Sequence, residues 1–593
     1  MRASMLAAVL AACVLAAAGT GTAGQLIAPH IRVHGCMLPN VTGLPFCDPA
    51  LGIAARARDL RGRLTRAEKL CLMDRGACAV PRLGLPQYNW GVEDLHGAGI
   101  ECLVDGAKTH CPTIFPTLNL LGGSFNDSLM QAVGKVIGTE MRAGNNAGAR
   151  RGRHLPRPGE VNANPSIGVN GWGPNINIAR DPRWGRNMEV PSEDSFLAGK
   201  VGAAMTRGIQ GQGDRTVTNK YVLLLGALKH VTGYSLENWV DDTGGPRNGS
   251  KYNRMGFDAN ISRHDLAETY LEQYRIALTE SEPLGMMCSY TAINGSASCE
   301  NGHLLNTWAR GSLGFKGNVV TDCGALMMSS EPRNYTPSSA AALNAGTDLN
   351  CGAVFDGGLG AAIDSGATTE AKLDASLERS MGLLMRAGYF DPVEMVPHSR
   401  IAPAEVGTAA SHELAKDAAL QGMVLLQNDK QALPLKKGVT TAVLGPLANI
   451  TLGMMSRYYD AVCPGKLDPE RGSWGKGMRP SGCITAPLHR LMARGKVAHA
   501  SGYTCSDDKP NHHCLLETSQ AGFAAAVAAA KGSRPDRAVP RARQHDRTGG
   551  HGQADAGPAG RAASAAGCDS EGGAGHAANG AAAERRRDRD GVR

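Results

Sequence analysis

Beyond its first two dozen residues, the 593-residue sequence has no apolar run long enough to cross a bilayer, which excludes a later membrane helix. Its 16 cysteines include no CxxC pair, so their spacing offers no zinc framework. Net basicity is scarcer than the formal charge of +8 implies. Residues 531–593 hold 12 Lys and Arg against 8 Asp and Glu, so half of the excess falls in the last tenth of the chain. The remainder is close to neutral for its size, and a nucleic-acid partner is not indicated. The Gly-containing stretch GIQGQGD does not follow a strand properly and is discounted as a nucleotide loop. From residue 532 onward the only larger aliphatics are Val539 and Val592, with no Leu, Ile, Met, Phe, Tyr or Trp. Such a segment cannot bury a core and is expected to be disordered.

The N-terminus does carry one apolar run. Arg2, the 14-residue stretch MLAAVLAACVLAAA and the small residues GTGTAG are built like a secretory signal peptide, with cleavage expected near Ala23. A soluble secreted or vacuolar-type protein is expected, and the cysteine count fits an oxidising compartment. Cys13 leaves with the signal and Cys568 lies in the tail. Short-range pairs among the other fourteen are Cys102 with Cys111, Cys288 with Cys299 and Cys505 with Cys514, with connectivity otherwise open. Asn-X-Ser/Thr sequons at Asn40, Asn126, Asn248, Asn260, Asn294, Asn334 and Asn449 are available for glycosylation on the same route.

From about residue 50 to 395, short apolar runs such as NLLGGSF, GWGPNINIA, VLLLGALKH, PLGMMCSY and NVVTDCG alternate with segments of helical spacing such as SRHDLAETYLEQYRIALTE. That alternation implies parallel βα units, and their number suggests an α/β fold of the (β/α)8 barrel type. SRIAPAEVGTAA breaks the pattern as a linker. The helix HELAKDAALQGMVLLQN, then ALPL and the strand TTAVLGPLAN, open a second α/β unit that runs to SQAGFAAAVAAAK and holds too few strands to close a sandwich. The expected layout is signal peptide 1–23, barrel 24–395, linker 396–410, partial sandwich 411–531 and tail 532–593.

Polar residues gather where the apolar runs end. Asp322 follows Val-Val-Thr and precedes Cys-Gly; Glu93, Asp94 and His96 lie in NWGVEDLHGAG; Arg180, Asp181, Arg186 and Glu189 lie in RDPRWGRNMEVPSED; Lys229 and His230 follow VLLLGAL; Tyr290 lies in MMCSYTAINGSASC. Carboxylates, cationic donors and aromatics are what a sugar pocket needs, because charged groups bind vicinal hydroxyls strongly and rings pack on the C–H face. Each also has a bland reading. Asp322, Glu93 and Asp94 could cap helices, Arg180 to Arg186 could be a loop held by Asp181 and Glu193, Lys229-His230 a solvated helix start, and Tyr290 core.

Taken together and in this order, GWGPNINIARDPRWGRNMEVPSEDS, KHVTGY, CSYTAINGSASC and VVTDCGAL resemble glycoside hydrolase family 3, nearest its β-xylosidase and arabinofuranosidase branch, over residues 40 to 531. The resemblance implies a barrel-like domain followed by an α/β sandwich, with the active site between them. It implies that Asp322 is the nucleophile of a retaining glycosidase, that Glu93, Arg186, Lys229 and His230 bind the hydroxyls of the sugar in the −1 subsite, and that Tyr290 lies beside them. It also implies a Cys323–Cys351 bridge. Gly324 departs from the branch, which usually carries Asp there. Glu93, where other branches often carry Asp, favours β-1,4-xylosidase over β-glucosidase, since the extra methylene takes space a hexose hydroxymethyl would need. The substrate expected is an oligosaccharide or small glycoside, with no metal, organic cofactor, nucleic acid or membrane; oligomeric state is left open.

One part of the family pattern is missing. Its acid/base is a Glu in the second domain, yet after Lys531 no Glu occurs before Glu571, and only HDRT, His545 to Thr548, echoes the sequence just beyond that acid. The abrupt loss of large hydrophobics motivates the hypothesis that the chain leaves the family's reading frame near residue 532. Abundant transcript encoding the printed tail would count against it. Without the acid, turnover of natural xylosides is expected to fall, typically by about 10²- to 10⁴-fold. A sugar-binding pseudoenzyme is the alternative.

Overall fold

The computed structural model describes residues 36, 38–148, 168–212, 220–237, 254–329, 334–436, 438–449, 456, 484–502, 504–505, 514–515 and 521–532. The expected signal peptide, the tail after Gly532 with its HDRT fragment, and the Asn248 sequon lie outside them.

The elements that position the site are α1 (Ile53–Arg63), β1 (Gly76–Ala77), β2 (Tyr88–Asn89), α2 (Asp127–Asn146), β3 (Asn170–Gly171), α3 (Ser195–Gln210), β4 (Leu225–Val231), α4 (Glu272–Ser281), β5 (Gly285–Cys288), β6 (Asn318–Thr321) and α5 (Glu370–Arg386). Strands β3, β4, β5 and β6 pair in parallel in that order. β4, β5 and β6 are buried along their whole length, as expected of parallel strands covered on both faces. Backbone hydrogen bonds carry the curl onward: Thr321 N to Leu349 O (3.0 Å), Arg75 N to Asn350 O (2.8 Å), Trp90 N to Arg75 O (2.8 Å) and Trp172 N to Val92 O (2.9 Å). The eight-fold parallel repeat of a (β/α)8 barrel is not confirmed. Among the described residues the curl consists of four parallel strands joined through 348–350, 73–77 and 88–92, and β1 and β2 run antiparallel.

Helices cover the outside of the sheet. α2 starts at Asn126, whose Oδ1 accepts from Leu129 N at 3.1 Å, and α3 starts at Asp194, whose carboxylate caps Leu197 N at 2.6 Å. The two helices approach closely because glycines face backbone: a Cβ on Gly134 would stand 2.3 Å from Met205 O, and one on Gly208 2.1 Å from Gln131 O. Ile137, Met205 and Ile209 form a core between α2 and α3, and a larger core fills the sheet interior and the α1–α5 side.

A second region follows with α6 (Ala409–Gly422), the parallel pair β7 (Thr441–Leu444) and β8 (Val497–Ala500), and α7 (Ala521–Gly532). The stretch before α6 is pinned to α2, with Asn146 Nδ2 donating to His398 O (2.8 Å) and Ile401 O (2.9 Å), and Glu140 Oε1 accepting from Gly407 N (2.9 Å). α6 ends at Gly422 instead of continuing through the apolar MVLLQN. Gly422 is a poor helix former placed where a Cβ would stand 2.2 Å from Leu120 O, and the chain turns away at that contact. No helix among the described residues is long and apolar enough to cross a membrane.

Disulfides join Cys102 to Cys111, Cys288 to Cys299 and Cys323 to Cys351, and also Cys36 to Cys47 and Cys71 to Cys78, which the spacing analysis did not single out. Cys505 and Cys514 are cross-strand partners in a short antiparallel ladder.

Candidate active site

Asp322 leaves the sheet directly after β6, with its own N–H still bonded to Cys288 O of β5 at 3.1 Å. Its carboxylate caps no helix. Oδ1 accepts from Cys323 N at 2.7 Å, and Ala325 N goes to the Asp322 backbone oxygen. The Cys323–Cys351 bridge and a Gly324 N to Cys351 O bond of 2.8 Å fix the backbone beyond it. Gly324 sits at φ +79 with open space where a Cβ would be. Asp is among the few other residues that tolerate such a conformation, so the branch's usual Asp would not require a different turn.

β4 delivers Lys229 and His230. In a regular strand these neighbours would point to opposite faces, but the β4–β5 register shifts between Lys229 and Val231, an irregularity that re-aims side chains. The helix-start reading of this pair fails, since both are buried in the strand. Lys229 forms a buried ion pair with Glu93 from the segment after β2. His230 Nδ1 lies 2.9 Å from Asn177 Oδ1, which fixes its proton there. Nε2 is left as an acceptor, facing Arg186 Nη2 and Asp322 Oδ2, each at 3.4 Å. Burial, then Arg186, Lys229 and Arg254, hold the imidazole well below its ordinary pKa, so His230 is neutral and gives Asp322 neither a charge nor a proton.

Arg186 is anchored by Glu189 (Nη2 to Oε2, 2.6 Å) and donates from Nη1 to Tyr234 Oη at 3.2 Å. Tyr290 donates to Cys323 O at 2.9 Å. The structure therefore gathers Glu93, Arg186, Lys229, His230 and Tyr290 around Asp322. Other residues of the same motifs stand elsewhere. Asp181 forms an exposed ion pair with Arg183, Arg180 lies over the Tyr270 ring, and His96 is buried against Phe115 O. Asp94 is fully buried against Gly171 and Gly173, with no hydrogen-bond partner for either carboxyl oxygen among the described residues. Burial is the main cause that pushes it up to about 8, with Glu93 adding and Lys229 opposing, so it is protonated at neutral pH.

Three members were not picked out in the sequence. Arg254 lies with its Cζ 4.3 Å from the Tyr290 ring centroid, Nη1 3.2 Å from Tyr234 Oη and 3.3 Å from Glu237 Oε2. Glu237 Oε1 also accepts from Trp184 Nε1 (3.3 Å) and from the Tyr234 hydroxyl. Tyr234 closes the quoted motif KHVTGY and Glu237 stands three residues beyond it, whereas no local signal marks Arg254.

The electrostatic arrangement is simple. Three cations face Asp322, and each is tied to another carboxylate: Lys229 to Glu93, Arg186 to Glu189 and Arg254 to Glu237. Burial raises the Asp322 pKa, while Arg186, Arg254, Lys229 and the Tyr290 hydroxyl beside it oppose that rise. Oδ2 has no hydrogen-bond partner among the described residues. The site thus holds one carboxylate oxygen with a free lone pair inside a ring of hydrogen-bonding groups, which suits attack on an electrophilic carbon of a polyhydroxylated substrate. No group of His, Cys, Asp and Glu among the described residues is arranged to hold a metal.

A curled parallel sheet with a carboxylate at a strand end is the arrangement of the α/β glycosidases. Residues 165–383 match the family model of the glycosyl hydrolase family 3 N-terminal domain, so the chain carries that domain. It is 36% identical over 440 residues to a protein named beta-D-xylosidase 3 of Arabidopsis thaliana, covering 72% of this chain and 52% of the relative. It is 38% identical over 434 residues to a probable exo-1,4-beta-xylosidase of Aspergillus clavatus, covering 71% and 52%. A solved GH3 exo-beta-xylosidase in complex with a xylobiose aziridine probe superposes with a TM-score of 0.69 at 28% identity, covering 85% of this chain and 58% of that one. A GH3 beta-glucosidase of Bifidobacterium adolescentis superposes at 0.55 and 25% identity, covering 80% and 56%. The chain spans about half the length of the curated relatives it matches.

Proposed function

We propose that the chain is a secreted retaining β-glycosidase of the β-1,4-xylosidase type that removes terminal β-linked xylose. Its catalytic domain, residues 24–395, is in this reading the family's barrel, followed by a partial sandwich over 411–531 and the tail 532–593. The observation that carries the proposal is the free Oδ2 of Asp322 at the end of β6, held within the field of three anchored cations. Disulfides within the described residues support an oxidising compartment.

In this reading Asp322 Oδ2 attacks the anomeric carbon, the bond to the aglycone oxygen breaks with its electron pair, and a glycosyl ester forms on Asp322. Water then attacks the same carbon, loses a proton, and returns the Asp322 carboxylate with net retention. Glu93, Lys229, Arg186 and His230 bind sugar hydroxyls, and Tyr290 lines the pocket. A second reading, a sugar-binding pseudoenzyme, is favoured by one specific observation. Among the described residues Glu93, Glu189 and Glu237 are each occupied by a cation, and none is free to protonate the leaving oxygen.

The test is intact-mass analysis and peptide mapping after incubation with a 2-deoxy-2-fluoro xyloside carrying a dinitrophenolate leaving group, which needs little protonation. A stable adduct on the Asp322 peptide is expected. No adduct with this sugar or its gluco analogue, on a folded sample, overturns the catalytic reading. An adduct without turnover of xylobiose selects a protein with nucleophile and pocket but no acid.

A further inference from the structure

We infer that Glu237 is a positioning residue that holds the Arg254 guanidinium off Asp322, leaving the Oδ2 lone pair free to react. The catalytic consequence rests on Asp322 being the nucleophile; the restraint itself does not. A guanidinium and a carboxylate sharing a buried site form short, bidentate, charge-assisted hydrogen bonds when nothing prevents it. Here they do not. Among the described residues Asp322 Oδ2 has no hydrogen-bond partner and the buried Arg254 Nε has none either, although Arg254 is among the charges that most affect Asp322.

What keeps them apart is visible. Arg254 Nη1 is drawn to Glu237 Oε2 at 3.3 Å and to Tyr234 Oη at 3.2 Å, while the guanidinium lies over Tyr290 at 4.3 Å from the ring centroid. Glu237 is fixed in turn by Trp184 Nε1 at 3.3 Å and by the Tyr234 hydroxyl. Tyr234 also receives Arg186 Nη1, so Glu237 reaches the second arginine through that hydroxyl while Glu189 anchors it directly. Among the described residues Glu237 bonds Trp184, Tyr234 and Arg254 but not Asp322, so it acts through Arg254. With Glu237 in place, Arg254 lends Asp322 its charge without occupying its lone pair; without that anchor, the same cation becomes an inhibitor of the nucleophile.

The experiment compares crystal structures of the full chain and of Glu237→Gln, and measures their inactivation by the fluoro-xyloside. In E237Q, Arg254 is expected to leave Tyr290 and bond Asp322 at about 2.7–3.2 Å, and inactivation to slow by roughly tenfold. E237D, which keeps the charge, recovers most of that loss. The double variant E237Q/R254M reacts faster than E237Q alone, because the cation that occupied Oδ2 is gone; a merely structural role would make the double variant slower. Arg254 remaining on Tyr290 in E237Q, or a double variant slower than the single, overturns the inference. Should E237Q fail to fold, Trp184→Phe removes one donor from Glu237, and Arg254 displaced toward Asp322 supports the inference while an unmoved Arg254 overturns it. A wild-type chain that forms no adduct sinks the nucleophile assignment, and the crystallographic distances still decide the restraint.

Discussion

The strands β4 and β7 are written in the same apolar alphabet, yet every residue of β4 is buried and none of β7 is, with Leu444 43% exposed. The difference lies in what surrounds them. β4 has strands on both sides, helices behind it and a packed interior in front. Among the described residues β7 has only β8 beside it and α7 packed against it, and α7 itself leaves Phe523 and Val527 exposed. Parallel strands need cover on both faces, and a two-stranded sheet rarely stands alone. Met423, Val424, Leu425 and Leu426 are likewise exposed, Leu426 at 91%. The comparison separates two things that a hydrophobic pattern does not distinguish: the tendency to be a strand and the supply of surface to bury it. All the site residues lie in the covered region.

The largest effect expected tests whether that region carries chemistry by itself. Asp322→Asn should lower labelling by the fluoro-xyloside by roughly 10³-fold or more while leaving the thermal transition in place, because it removes a buried charge and preserves shape. Equal labelling on another peptide would move the chemistry away from the end of β6. Next in size, Ile137→Ala, in the core between α2 and α3, should cost about 2–5 kcal/mol by urea unfolding, the usual range for a fully buried aliphatic. A cost below 1 kcal/mol would mean that the first region is no better packed than the second.

How much of this was legible follows from the same physics. Asp322, Lys229 and His230 could be read because each ends an apolar run, and a strand's end is a local property. Arg186 and Tyr290 were found by motif. Arg254, Glu237 and Tyr234 were not, because their function arises from meeting Trp184, Tyr290 and Asp322 across 36 or more residues, with no periodicity to report it. The return of the curl through 73–77 and 348–350 was hidden for a related reason. Those links are single bridges such as Asp74–Asn350 and Val320–Leu349, too short to leave a pattern. The expected helix through MVLLQN failed because Gly422 meets Leu120, a tertiary contact that overrides propensity.

Asp94 sharpens the comparison through pH. Its carboxyl is pushed up to about 8 in the fold against an ordinary value near 3.8, so the native state holds a proton that the unfolded chain has already released. The contribution is therefore largest below about pH 4 and is lost as pH rises toward 8, by at most about 1.4 kcal/mol per pH unit. Asp94→Asn keeps the shape without the titration, and its stability should be flatter between pH 5 and 8 than that of the parent chain. Parallel pH profiles would show that Asp94 is not held neutral behind the pocket.

The smallest effect is expected at a hydrophobic run that faces solvent. Leu425→Ser and Leu426→Ser remove apolar side chains that already face solvent, so each should change unfolding free energy by no more than about 0.5 kcal/mol. Their visible consequence should instead be lower aggregation, measured by light scattering of the native chain, since a run of four exposed apolar residues favours association. Ile137 and Leu426 are then a matched pair of aliphatics with opposite outcomes: loss of the first destabilises the fold, and loss of the second improves solubility. A cost above 2 kcal/mol at Leu426 would show that the segment after α6 is covered in solution, and the contrast between the two regions would have to be redrawn around whatever covers it.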